Sequence, residues 1–170
     1  MFNKLILIIS NIFICNAMII NVKNNCPWKM DIYNHENFKF NNVCKIESGK
    51  SCVINIKQNV FESGLIKNIL GEQATLFEFT KNNRGIWHDI SVVPPGCGSN
   101  CFSWKQCFDV SKKVGFNDKL KVNVKPLIPN ARCRNLTCDR KDCPDAYTFP
   151  SDDNKTFYCH LGVEFWLEWC

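Results

Sequence analysis

Two short stretches carry the residues best suited to chemistry, Ala74-Thr75-Leu76-Phe77-Glu78-Phe79-Thr80 and Trp87-His88-Asp89-Ile90-Ser91. Each sets a carboxylate among apolar neighbours, and the turn signal Asn83-Arg84-Gly85 separates them. A period of two puts Glu78 on the face opposite Phe77 and Phe79, and Asp89 on the face opposite His88. Paired as adjacent strands, the two stretches bring Glu78 and Asp89 together on a sheet. Such a pair can hydrolyse a glycosidic bond if one member stays protonated as general acid while the other acts as base or nucleophile. A separation of about 5 Å gives retention and roughly 6.5–9.5 Å gives inversion. Glu78 is the expected acid, since glutamate in a half-apolar strand is the easier one to raise in pKa, and Asp89 would activate water or attack. The non-catalytic alternative has the same carboxylates accepting hydrogen bonds from sugar hydroxyls, with Trp87, Phe79 or Tyr147 stacking on pyranose faces. His88 points away from Asp89, and a lone histidine is more often structural than catalytic.

Sulfur is the second chemistry. Twelve cysteines in 170 residues point to an oxidising compartment, because a reducing cytosol would not keep such a density of thiols without metal. A zinc site built from Cys133, Cys138, Cys143 and His160 is the competing use, but the chain has no Cys-x2-Cys pair and disulfides are expected instead. The N-terminus agrees with export. Lys4 precedes the apolar run Leu5 to Cys15, and Ala17 closes a small-residue cleavage site, so residues 1–17 read as a secretory signal peptide and 18–170 as one mature domain. The run is too short to span a bilayer, and no later stretch is long and apolar enough. Removal of the leader takes Cys15 with it and leaves eleven cysteines, hence one without an obvious partner.

The elements that position these groups are mostly strands. Ile19 to Val22 alternates as a half-buried strand, as does Val53 to Lys57 after the turn Ser48-Gly49-Lys50. Cys44 and Cys52 flank that turn, which reads as a hairpin spanned by a disulfide. In the last strand Phe165, Leu167 and Trp169 share one face, and Glu164, Trp166 and Glu168 share the other. Leu120 to Pro126 alternates with lysines on an outer, solvated face. Val92 to Cys107 reads as a turn-rich insertion of Gly, Ser, Asn and Cys. No long helical period appears, so the fold class is mainly β, and a chain of this length buries about two-thirds of its unfolded surface. A net charge of +5 without a run of basic residues gives no support to nucleic-acid binding, although it can favour approach to anionic walls or membranes. Asn135-Leu136-Thr137 and Asn154-Lys155-Thr156 are N-glycosylation sequons. No cofactor is expected.

Several runs together resemble the thaumatin/osmotin family: Asn24-Asn25-Cys26-Pro27-Trp28, Thr75-Leu76-Phe77-Glu78-Phe79, Trp87-His88-Asp89-Ile90-Ser91, Gly115-Phe116-Asn117, Cys143-Pro144-Asp145-Ala146-Tyr147, Thr156-Phe157-Tyr158-Cys159 and the terminal Trp169-Cys170. The resemblance implies a flattened antiparallel β-sandwich stapled by disulfides, with Cys26 bonded to Cys170, Cys133 to Cys159 and Cys138 to Cys143. The first of these closes nearly the whole mature chain and by the loop-entropy argument contributes about 5 kcal/mol. Cys97, Cys101 and Cys107 contain the leftover thiol, with Cys97–Cys107 as the expected pair. The resemblance also implies an acidic cleft of Glu78, Asp89 and Asp145 that binds β-1,3-glucan of fungal walls, with weak endo-glucanase activity as the further option, in a monomer acting in defence or host contact. Three departures stand out. Leu65 occupies a place where the family carries a cleft arginine, and Val114 one where it carries aspartate, with Asp109 a nearby substitute. Only four residues separate Cys138 from Cys143, where a cysteine-rich lobe is usual, so the chain resembles the small type. The alternative function is a protein-interaction module, an effector or inhibitor, that uses residues 94–107.

Overall fold

The computed structural model describes residues 17–36, 39–56, 61–126 and 132–170; the expected leader up to Asn16 lies outside them. The described strands are β1 (Met18–Asn24), β2 (Met30–Glu36), β3 (Lys39–Ile46), β4 (Ser51–Ile56), β5 (Glu62–Lys67), β6 (Leu76–Lys81), β7 (Gly85–Ser91), β8 (Leu120–Lys125), β9 (Leu136–Cys138), β10 (Ala146–Tyr147), β11 (Phe157–His160) and β12 (Glu164–Trp169). One helix, α1 (Trp104–Ser111), and a 3-10 turn at Asp153–Lys155 complete the described set. One sheet runs β4-β1-β12-β8-β9 and the other β10-β7-β6-β5-β2-β3, with β11 also paired to β7. Most pairings are antiparallel, but β1 with β12 and β7 with β10 are parallel.

Alternation explains how the two sheets become a sandwich. Ile20 and Val22 of β1, Val122 of β8 and Phe165, Leu167 and Trp169 of β12 turn inward and are fully buried. They meet Ile32, Ile66, Phe77 and Ile90 from the other sheet in one continuous core. Phe77 and Phe165 touch across the layers with ring centroids 5.2 Å apart. Each such ring, removed from water, contributes about 2–3 kcal/mol. The end of the chain is held as the sequence predicts: β12 lies beside β1, Trp169 carbonyl accepts from Asn25 N–H at 3.0 Å, and Cys26 is bonded to Cys170.

Cys44 and Cys52 are also bonded, but the expected hairpin is corrected. β3 pairs with β2 in one sheet and β4 with β1 in the other, so the turn at Ser48 to Lys50 is a corner and the disulfide joins the layers. The buried Asn24 makes this corner. Its Nδ2 donates to Trp28 and Ile46 carbonyls at 2.8 and 2.9 Å, its Oδ1 accepts from Cys26 N–H, and its backbone exchanges hydrogen bonds with Gly49 and Lys50. The turn chemistry was local and legible; which sheet receives β4 was not.

The insertion is a second correction. Its latter part is helical: Ser103 caps α1 by accepting from Gln106 N–H, and the Gln106 side chain accepts in return from Phe102 N–H at 2.7 Å. This Ser-x-x-Gln spacing is a capping-box signal. Asp109 lies on the exposed side of α1, ion-paired with Lys105 at 2.5 Å, and so remains a surface carboxylate. Farther on, Gly115-Phe116-Asn117 proves to be a latch between loops. Asn117 Oδ1 accepts from Thr75 N–H at 2.6 Å, and its Nδ2 donates to Asn68 and Asp118. Gly115 adopts φ +81°, and a Cβ there would fall 2.2 Å from Val92 carbonyl oxygen.

The remaining disulfides are Cys97–Cys107, Cys133–Cys159 and Cys138–Cys143. The sulfurs of the alternative zinc set are thereby consumed, and His160 instead packs edge-on against Tyr158.

Candidate functional site

The register of β6 and β7 puts Glu78 directly opposite Asp89 on the face away from the core. Across β6 on the other side Glu78 faces Leu65, and Leu65 in turn faces His35 of β2. These four residues floor an open cavity of about 560 Å³, walled by Ser63, Thr80, Trp87 and Thr156. Ser63 and Thr80 hydroxyls bond each other at 3.0 Å. Trp87 is 38 % exposed, and its position is fixed by an edge contact with Tyr158, whose hydroxyl donates to Arg84 carbonyl at 2.7 Å.

None of the described lining residues is lysine or arginine. Leu65, in the place where a cation was expected by resemblance, leaves the carboxylates without a charge partner from that strand. Burial therefore dominates their chemistry. It raises Glu78 above the usual carboxylate range, against the opposing effect of a hydrogen bond with Asp89. Asp89 is pushed up to about 8 by burial, then by the charge of Glu78 and the hydrogen bond between them. Asp89 thus keeps its proton at neutral pH, and the two carboxyl groups titrate as a unit. Asp89 is raised at least as clearly as Glu78, so the surroundings single out neither as a dedicated acid. Asp89 Oδ1 is buried and has no hydrogen-bond partner among the described residues.

The other expected residues are distributed differently. Asp145 does not line the cavity: its carboxylate is ion-paired with Arg134 and accepts from Thr137 N–H at 3.1 Å. Tyr147 stands one layer back, with its hydroxyl donating to Asp153 at 3.2 Å and sharing a hydrogen bond with Thr156. Phe79 contributes to the lining but is only 4 % exposed and packs with the core, so its ring offers no open face. Trp87 is the expected platform that the structure leaves accessible. His88 is fully buried, its ring 4.9 Å from that of Phe165, and burial lowers its pKa to about 4. It is a neutral core residue. Both sequons are exposed at their asparagines, but Asn135 Oδ1 accepts from Val124 N–H at 2.9 Å, which ties that side chain to β8.

Sequence reasoning missed His35, Ser63, Thr80 and Thr156. Ser63 and Thr80 follow from register, two residues along the same face from Leu65 and Glu78. His35 comes from β2, whose partners no local pattern specifies, and Thr156 from the residue between the 3-10 turn and β11.

The arrangement defines a disulfide-stapled β-sandwich with an acidic trough on one sheet. More particularly, the fold is thaumatin-like. The thaumatin-like xylanase inhibitor TLXI aligns with a TM-score of 0.55 at 10% identity, over 89% of this chain and 98% of that one. The protein elicitor MoHrip2 from Magnaporthe oryzae aligns with a TM-score of 0.56 at 12% identity, over 91% and 99% respectively. No family model and no curated protein sequence matches the chain.

Proposed function

We propose that the protein is an extracellular, non-catalytic binder of β-1,3-glucan-type wall polysaccharide, acting in defence or host contact through the trough of Glu78, Asp89 and Trp87. The observation that carries this reading is the opposed carboxyl groups of Glu78 and Asp89 beside an accessible tryptophan in an open, polar cavity. Carboxyl oxygens take hydroxyl hydrogens, while the indole face takes the apolar side of a pyranose. Five disulfides support an oxidising, extracellular setting. Two features favour binding over hydrolysis. A pair that shares a hydrogen bond lies inside the spacing of about 5 Å or more that either glycosidase geometry needs. Asp145, the third expected carboxylate, is occupied by Arg134.

Titration of the oxidised protein with a soluble β-1,3-gluco-oligosaccharide by calorimetry tests this. Trp87→Ala and the Glu78→Gln/Asp89→Asn double variant should each weaken binding by about tenfold or more. Unchanged affinity in both would reject the trough.

A protein-contact reading is favoured by a separate observation. Phe102 and Val110, at and within α1, are 66 % and 65 % exposed, large for apolar side chains. An elicitor and an inhibitor, the names borne by the two neighbours, both act by contact with another molecule. Phe102→Ser/Val110→Ser should leave glucan binding intact and remove capture of a protein partner, if this surface is the functional one.

A further inference from the structure

The segment before α1 holds a reactive constellation that the trough does not use. Cys97 and Cys107 are bonded, and Cys101 is a buried free thiol between them in sequence. The three sulfurs lie within 4.8 Å of one another. A buried cysteine usually behaves as a small, inert apolar group. Cys101 differs in having an electrophile beside it, since a disulfide sulfur is the normal target of a thiolate.

We propose that Cys97, Cys101 and Cys107 form a thiol–disulfide exchange centre that turns the buried thiol of Cys101 into an accessible one at Cys97, which then accepts a small disulfide as substrate. In the first step Cys101 gives its proton to water and its sulfur attacks Cys107 Sγ. The Cys101–Cys107 bond forms, the Cys97–Cys107 bond breaks, and Cys97 leaves as a thiolate. Disulfide number is unchanged, so no oxidant is consumed. In the second step the Cys97 thiolate attacks a disulfide RSSR: the mixed disulfide Cys97 Sγ–SR forms, the S–S bond of the reagent breaks, and the other half leaves as RS⁻, which takes up a proton.

The choice of leaving group follows from burial. Cys107 is wholly buried and Cys101 nearly so at 6 %, whereas Cys97 is partly exposed. A thiolate expelled toward water is better stabilised than one expelled into apolar surroundings. Cys97 also stands between Gly96 and Gly98, two exposed residues without side chains to cover its flanks.

Oxidised glutathione, applied to the folded full chain at about pH 8 near the ordinary thiol pKa, is the probe. After acid quenching, residue-level peptide mapping should find glutathione on Cys97 together with a Cys101–Cys107 bridge. Cys101→Ser should lower the Cys97 adduct by about tenfold or more, because the route that frees Cys97 is gone. Glutathione on Cys101 with Cys97–Cys107 intact would overturn the proposal, and so would the absence of any adduct on these three residues. Cys97→Ser gives an independent check: the folded variant should contain a Cys101–Cys107 disulfide, and two free thiols at those positions would refute the exchange geometry.

Discussion

Replacing Asp89 by Asn should change how stability depends on pH more than it changes stability itself. Asp89 is raised in the folded protein from its ordinary 3.8 to about 8, chiefly by burial and then by Glu78. A raised folded-state pKa means that its stabilising contribution is full below pH 3.8 and is lost as pH climbs toward 8. Within that window the unfolded chain has released the proton while the folded one still holds it. Each pH unit then costs about 1.4 kcal/mol, so the interval from pH 5 to pH 7 costs about 3 kcal/mol. Asparagine has the shape of the neutral acid and can still donate to Glu78, but it releases no proton. The variant should therefore gain about 3 kcal/mol relative to wild type between pH 5 and pH 7. His88 has the opposite sign: its pKa is lowered to about 4, so its neutral form supports folding above the usual 6.5 and that support is lost as pH falls through 4. That contribution is common to both proteins and cancels in the comparison. Equilibrium urea unfolding of the oxidised proteins at the two pH values measures the difference. A difference that is the same at pH 5 and pH 7 would refute the shared-proton description of the pair.

Two further outcomes follow from the sandwich itself. Gly115→Ala should destabilise by about 2–4 kcal/mol, because φ +81° and the contact with Val92 carbonyl leave a Cβ no place, and a melting-temperature drop measures it. Cys26→Ser/Cys170→Ser releases a closure across 144 residues and should cost about 2–5 kcal/mol by chemical denaturation, with β1 and β12 losing amide protection first.

Much of the fold was legible because its strongest signals are local. Period-two alternation in Ile19 to Val22 and Phe165 to Trp169 reports which side chains face the core, and the structure buries those residues. The opposition of Glu78 and Asp89 was legible for the same reason, since two alternating strands joined by a short turn can pair in few registers. The corner at Ser48 to Lys50 was not legible. A turn reads alike whether its second strand returns to the first or crosses to another sheet, and here Asn24, distant in sequence, decides. Asp145 was misplaced because its direction depends on Arg134, whose guanidinium lies over Phe157 and closes on the carboxylate. Helix α1 had a signal in Ser103 and Gln106, obscured by the surrounding Gly, Ser and Cys.

The central claim, that the trough binds wall glucan without cleaving it, is tested most directly by pull-down of the oxidised protein on insoluble β-1,3-glucan, with the supernatant assayed for reducing sugar and Trp87→Ala run alongside. Retention of the wild type, loss of retention in the variant and no sugar release are the predicted results. Sugar release that disappears in Glu78→Gln, or failure of the wild type to bind, would contradict it.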